Sequence, residues 1–372
     1  MPLLPLKVLI VDDSAIFRKI LRNILNGDER FQVVGEARNG EEALNLIKRH
    51  APDALILDVD MPVMDGLETL KAVRRDHPDV ESIMFSAHTQ AGAHVTFQAL
   101  ENGAFDFVAK PESPSINAGV NLVSSQIIPK LTFLHTRKTL RDVARGGRPA
   151  DTFSKPVPAP LTPESCEAPP RSKPLRPEIV AIGVSTGGPR ALAQMIPDLP
   201  TSLPTGILIV QHMPPLFTKA LALRLNELTD LEVREAEDGE PIQSGRILFA
   251  PGGLHLEVYQ RPKESVLARL SDAPPENGCK PSADVLFRSV AQVFGPRALG
   301  VVMTGMGSDG AEGLRLMKQK GAKIFAQNRD TCTVYGMPRR VVEMNLADEV
   351  LSLGDMACAI DSAVSTGENK TK

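Results

Sequence analysis

The sequence predicts two α/β units, each built on a mainly parallel sheet and joined by an extended segment. Three observations predict this. Apolar runs of strand length alternate with amphipathic stretches over the first 135 residues. The composition then changes: from Pro149 to Pro177 there are nine prolines in 29 residues, among Ser, Thr, Ala and Glu. Beyond that break the alternation resumes.

In the first unit "KVLIVDD", "FQVVGEA", "ALILDVD", "SIMFSA" and "FDFVAK" each read as a strand. Helical spacing follows at positions such as Ala43, Leu46 and Ile47, or Leu67, Leu70 and Val73. Five βα repeats in a row imply a parallel sheet covered on both faces. This unit is expected over residues 1–135. Residues 136–177 read as a proline-rich, semi-extended linker. From 178 to 372 the strand signals are "EIVAIGVS", "GILIVQH", "RILFAPGG", "HLEVY" and "ALGVVMTG", with helical stretches at 189–196 and 310–320. They predict a second, doubly wound α/β sheet. The two halves share architecture but no sequence repeat.

Composition excludes several classes. Of 372 residues, 23% are charged and 42% hydrophobic, as in globular protein. Residues 1–177 are balanced in charge, and residues 178–372 carry the net −3. Neither half has the basic excess that nucleic-acid binding demands, so no nucleic-acid partner is expected. Cys166, Cys279, Cys332 and Cys358 are widely spaced and form no C-x-x-C pair. They read as reduced thiols, not as a disulfide framework or zinc site. The opening "MPLLPLK" is too short and proline-broken for a signal peptide, and no apolar run is long enough for membrane insertion. A cytoplasmic location is expected.

The first unit places chemistry at its strand ends. Strand one ends in Asp12-Asp13, strand three carries Asp58, strand four ends in Ser86, and strand five ends in Lys110-Pro111. The carboxyl edge of a parallel sheet is where ligands bind. Clustered carboxylates there repel unless a hard cation joins them, and Mg²⁺ suits carboxylates plus phosphate. A carboxylate can itself attack phosphorus, while Lys110 would neutralise phosphoryl charge and Ser86 donate to a phosphoryl oxygen. Any one of these residues alone reads equally as a turn or strand-end residue. Together with "DVDMPVMDG" after the third strand, they resemble the response-regulator receiver family over about residues 7–125. That resemblance implies Asp58 as phosphate acceptor, Asp12 and Asp13 as the metal-binding pair, and the Asp60 backbone carbonyl as a further metal ligand. It also implies Ser86 and Lys110 as phosphorylation-site supports, and the strand order 2-1-3-4-5. Phe107 falls at the family's aromatic switch position, or is simply a core aromatic.

In the second unit, "AIGVSTGGP" carries an apolar strand into a tight turn with Ser185 at the corner. Ser185 is a candidate nucleophile or a plain turn residue. A serine hydrolase needs a base, an orienting acid and donors for an oxyanion. Only two histidines are available, His212 and His255. His212 ends "GILIVQH" at a strand's carboxyl edge, whereas His255 reads more easily as a surface strand residue. The acid is best placed at Asp309 in "VVMTGMGSDGAEG", which could instead be a helix N-cap. That loop lacks the Lys-Ser/Thr ending of a P-loop. The order Ser, His, Asp departs from that of the α/β-hydrolases.

The blocks "GVSTGGP", "IVQHMPP", "REAEDGEPI", "LFAPGG", "KPSADVLF", "MTGMGSDGAEGL" and "VYGMPRR" resemble those of the CheB methylesterase family, in that family's order. The resemblance implies a Ser185, His212, Asp309 triad with the Met306 backbone N–H as oxyanion donor. It implies hydrolysis of glutamate γ-methyl esters on methyl-accepting chemoreceptors, releasing methanol, and deamidation of receptor glutamines. It further implies a chemotaxis histidine kinase as phosphodonor, Mg²⁺ at the receiver and no cofactor in the catalytic unit. On this expectation the receiver restricts access to Ser185 until Asp58 is phosphorylated. A DNA-binding output fits badly with an acidic, strand-rich segment. The alternative is a non-enzymatic response regulator whose second unit binds a partner.

Overall fold

A computed structural model describes residues 4–111, 116–146, 175–260 and 265–365. The chain divides into two compact units.

The first holds strands β1 (Leu6–Val11), β2 (Phe31–Ala37), β3 (Ala54–Asp58), β4 (Glu81–Ser86) and β5 (Asp106–Ala109). Along the chain they alternate with α1 (Ala15–Asn26), α2 (Gly40–His50), α3 (Gly66–Asp76), α4 (Gln90–Glu101) and α5 (Ile116–Gly146). All strand pairs are parallel, in the order β2-β1-β3-β4-β5. β3 is buried at every position, as an apolar run covered on both faces must be. α3 starts at a reciprocal cap, in which the Asp65 side chain accepts from Glu68 N–H and the Glu68 carboxylate accepts from Asp65 N–H. Gly66 is required there, because a Cβ would run into the Asp58 carbonyl.

The expected linker start is corrected by α5, which continues to Gly146, so residues 136–146 are helical. Their chemistry explains it: proline does not recur until Pro149, Lys138 pairs with Asp53 at 2.6 Å, and Arg137 pairs with Glu81. Residues 147–174, with Cys166, lie outside the described residues.

The second unit contains β6 (Ile179–Val184), α6 (Gly188–Met195), β7 (Gly206–Gln211), α7 (Phe217–Asn226), β8 (Glu232–Glu235) and β9 (Arg246–Phe249). There follow β10 (His255–Gln260), β11 (Val266–Ser271), α8 (Ala283–Phe294), β12 (Ala298–Val302), α9 (Ala311–Gln319) and β13 (Lys323–Gln327). α10 (Met337–Glu343), β14 (Glu349–Leu351) and α11 (Leu353–Val364) complete it. Seven strands form one parallel sheet, in the order β14-β13-β12-β6-β7-β9-β8. "HLEVY" is not one of them: β10 pairs antiparallel with β11 in a separate hairpin.

This topology fixes where a ligand can bind. From β6 the chain crosses to β7 on one side, and from β12 it crosses to β13 on the other. The loops leaving β6 and β12 therefore diverge, opening a crevice at their carboxyl ends. α8 buries Ala283, Leu286, Phe287 and Val290 in the core. Gly183 on β6 lets it lie close, since a Cβ there would stand 2.9 Å from Ala283 Cβ. No helix among the described residues is long and apolar enough to cross a membrane.

Candidate active site

Parallel register brings the predicted residues together. Val184 and Gln211 are opposed on β6 and β7, and His212 N–H donates to the Val184 carbonyl at 3.2 Å. Ser185 and His212 therefore leave neighbouring strands side by side. Ser185 N–H donates to the Thr304 carbonyl at 3.0 Å, tying the nucleophile candidate to the loop that follows β12. That loop carries Asp309. Its Oδ2 accepts from His212 Nε2 at 2.8 Å. The Ser185 hydroxyl is half-buried and makes no hydrogen bond among the described residues.

Asp309 does not cap its own helix; Gly310 occupies the N-cap of α9. It instead lies at the start of α8, accepting from Ala283 N–H at 2.6 Å and from Ser282 Oγ at 2.7 Å. Asn277 Nδ2 adds a bond of 3.0 Å. Helix N-termini favour negative charge. Burial alone would raise the Asp309 pKa, but the bonds from His212, Ser282 and Asn277 hold its carboxyl well below the usual carboxylate range. Burial likewise opposes a charged imidazole at His212, yet the Asp309 hydrogen bond, with the Cys279 thiol alongside, raises its pKa above the ordinary histidine range.

Close backbone approach shapes the turn beside Ser185. A Cβ on Gly305 would stand 2.8 Å from Ser185 Cβ and would strike Met337 Sδ. Glycine at 305 therefore brings the Gly305–Met306 backbone directly against the serine. Met306 N–H takes part in no hydrogen bond among the described residues. Gln211 supports the same turn, donating from Nε2 to the Ser185 carbonyl at 2.9 Å.

The first unit gathers its charged residues at the carboxyl ends of β1, β3 and β5. Asp12 and Asp58 are buried, and their Oδ2 atoms share the Lys110 ammonium at 3.0 and 2.7 Å. Among the described residues, neither oxygen has a hydrogen bond of good geometry. Burial and the neighbouring Asp12 charge push Asp58 up to about 6, despite Lys110. Burial also raises Asp12. One oxygen each from Asp12, Asp13 and Asp58 lie within 4.8 Å of one another. Two under-bonded buried carboxylates beside a third, exposed one fit a small hard cation. Ser86 is buried at the end of β4, and Phe107 is buried on β5, where a core aromatic would sit. The Asp60 side chain is exposed two residues beyond β3.

Comparison with known proteins agrees with both units. The CheB methylesterase family model matches residues 180–360, and the response regulator receiver domain model matches residues 8–117. A protein-glutamate methylesterase/protein-glutamine glutaminase of Treponema denticola is 41% identical over 364 residues, covering 96% of this chain and 97% of that protein. One of the same name from Geobacillus kaustophilus is 43% identical over 358 residues, covering 95% and 97%. The chain belongs to the CheB methylesterase family. Among solved structures, the Thermotoga maritima CheB methylesterase catalytic domain is 39% identical over 50% of this chain and 99% of that one, with a TM-score of 0.49.

Within this CheB-family chain, three features escaped the sequence reading. His255 is a correction: it is buried, not a surface residue. Its Nδ1 accepts from Ser282 N–H at 3.1 Å and its Nε2 donates to the Pro274 carbonyl at 3.1 Å. It braces the Ser282 turn, and so acts on Asp309 from behind. Ser282 and Asn277 form the clamp on Asp309. The block "KPSADVLF" signalled the first, and the turn pair Asn277-Gly278 the second. Cys279, isolated in sequence, stands 3.7 Å from His212 Nδ1.

Proposed function

We propose that the chain hydrolyses glutamate γ-methyl esters on methyl-accepting chemoreceptors, releasing methanol, with Ser185, His212 and Asp309 as the catalytic triad. The observation that carries this reading is the part-buried His212–Asp309 pair, held in the loops that leave β7 and β12 on either side of Ser185. Asp309 stays ionised and fixes the imidazole with its proton on Nε2. Nδ1 is then the nitrogen that takes the Ser185 proton. Productive attack requires the Ser185 side chain to turn toward His212 as substrate arrives, a tightening common in such sites.

Ser185 Oγ attacks the ester carbonyl, and the Met306 N–H donates to the oxyanion that forms. His212 returns the proton to the departing methoxide, so methanol leaves. Water then attacks the acyl-serine with His212 as base, releasing the glutamate carboxylate. Deamidation of glutamine follows the same path with ammonia leaving.

Control lies in the first unit, with Asp58 as the phosphate acceptor and a chemotaxis histidine kinase as donor. Asp12, Asp13, Asp58 and the Asp60 carbonyl would hold Mg²⁺. When bound, the cation neutralises charge on the transferring phosphoryl group. Lys110 pairs with a phosphoryl oxygen and Ser86 donates to another. The location this implies is the cytoplasm.

The test is methanol release from methyl-esterified receptor membranes, with and without a small phosphodonor and Mg²⁺. Ser185→Ala should lose about 10⁴-fold or more with folding intact. Retained release in that variant removes Ser185 from the mechanism. Release indifferent to the phosphodonor keeps the hydrolase and discards the control.

A further inference from the structure

Cys279 has no part in the reaction proposed above, yet its sulfur is held 3.7 Å from His212 Nδ1. The loop that holds it is well fixed. Cys279 N–H donates to the Glu276 carbonyl at 2.8 Å and Glu276 N–H donates back to the Cys279 carbonyl at 3.1 Å. These bonds close a two-residue turn whose centre, Asn277 at φ 52° and Gly278 at φ 73°, is left-handed throughout. Asn-Gly is the pair that enters such a turn most readily. Asn277 Nδ2 also donates to Asp284 at 2.8 Å, and Glu276 is gripped by Arg288 through two bonds of 2.6 and 2.5 Å. The thiol is therefore positioned before any ligand arrives.

On the opposite edge of the ring, Nε2 is committed to Asp309. A histidine that binds metal through one nitrogen commonly gives the other N–H to a carboxylate, which fixes the tautomer. The lone pair left at Nδ1 faces the Cys279 side. Tetrahedral zinc, with its usual bond lengths to sulfur and to imidazole nitrogen, holds those two atoms about 3.6 Å apart. The observed 3.7 Å matches that span without rearrangement. Thiolate plus imidazole also selects a soft cation over Mg²⁺.

We infer that His212 Nδ1 and Cys279 Sγ form a two-ligand site for a zinc-type divalent cation, and that its occupation switches hydrolysis off. The inhibitory part rests on the reading of His212 as general base, because the metal takes the lone pair that would accept the Ser185 proton. Binding forms one metal–sulfur and one metal–nitrogen bond, the thiol proton leaves to solvent, and water fills the remaining positions. No oxidation or reduction is involved. The widely spaced cysteines were expected to make no zinc site; folding brings this one to a histidine 67 residues away.

The test uses the full chain with Mg²⁺ present. Co²⁺ is titrated as a spectroscopic probe and the near-ultraviolet thiolate-to-cobalt absorption is read. The expected result is a band that saturates near one equivalent, is displaced by Zn²⁺, and is absent in Cys279→Ser. Zn²⁺ should then slow methanol release by ten-fold or more, reversibly on chelation. Cys279→Ser should keep over half of its own zinc-free rate. No band, or a band that survives in Cys279→Ser, overturns the site. A Cys279-dependent band with unaffected hydrolysis overturns the switch. A Cys279-dependent band in a protein that releases no methanol even without zinc overturns the functional reading and leaves the metal site standing.

Discussion

Asp309 Oδ2 accepts the His212 Nε2 proton at 2.8 Å, with both side chains almost wholly out of solvent. The carboxylate stabilises the imidazolium more than burial penalises it, so the His212 pKa lies above its ordinary value. With His212 as the proposed general base, hydrolysis needs the neutral ring. Methanol release should therefore rise with pH through a midpoint above about 6.5, the free-histidine value. Asp309→Asn removes the charged partner that opposes burial and leaves only the Cys279 contact, so it should move that midpoint down, while kcat falls by about 10³-fold or more. The pH dependence of kcat/KM in the two proteins checks this. An unmoved midpoint would separate Asp309 from the titrating base.

Gly305 against Ser185 gives a second expectation. A methyl group at 305 meets Ser185 Cβ at 2.8 Å and also Met337 Sδ, so both neighbours must shift to admit it. Gly305→Ala should cost about 1–3 kcal/mol of stability, the usual effect of overpacking. Its effect on turnover should be larger, about 10²-fold, because displacing a nucleophile by an ångström costs that much. Circular dichroism beside the methanol assay distinguishes the two effects. Full activity in a folded Gly305→Ala protein would mean that the turn tolerates the shift.

Much of this was legible in the sequence, and the rest was hidden for physical reasons. Buried strands such as β3 and β6 are uninterrupted apolar runs, so they announce themselves. Their ends make Asp58 and Ser185 candidates, and the residues at the neighbouring strand ends distinguish them from plain turn residues. β8 and β14 lie at the sheet's edges, only four and three residues long and partly exposed, and lack that pattern. "HLEVY" alternates as a strand should, but alternation does not say which sheet a strand joins. His212 and Asp309 could be paired because each follows an apolar strand, His212 directly after β7 and Asp309 in the glycine-rich loop after β12. The clamp of Ser282 and Asn277 could not, since its contacts to Asp309 span 27 and 32 residues and carry no local periodicity. His255 was misjudged because a polar residue opening a strand reads as exposed, whereas here both ring nitrogens are satisfied internally.

Ser282 offers a finer test of the same site. Its Oγ–H donates to Asp309 Oδ1 at 2.7 Å inside the protein. A hydrogen bond to a buried charge contributes about 1.5–3 kcal/mol. Ser282→Ala should lower kcat by roughly ten-fold or more if that energy orients Asp309. KM should change little, because Ser282 is fully buried. Combining it with Asp309→Asn should add almost nothing, since the second change removes the charge the hydroxyl serves. Independent, additive losses would show that Ser282 acts elsewhere.

In the first unit, Asp12 and Asp58 share one lysine while both are buried, and Asp58 is pushed up to about 6. A folded-state pKa above the unfolded value of about 3.9 means that the ionised carboxylate destabilises the fold at pH 8, by on the order of 3 kcal/mol. The penalty is present above the folded pKa and is relieved as protons bind below it. Asp58→Asn removes the charge outright, so at pH 8 without Mg²⁺ this unit should melt a few degrees higher than the unaltered protein. Mg²⁺ should narrow the difference by stabilising the unaltered protein more than the variant, because the cation relieves the same repulsion. The variant should also be indifferent to a phosphodonor in the methanol assay. Scanning calorimetry with and without Mg²⁺ reads the first two effects. If Asp58→Asn melts lower in the absence of Mg²⁺, the carboxylates are not in conflict, and the case for a cation between them loses its physical basis.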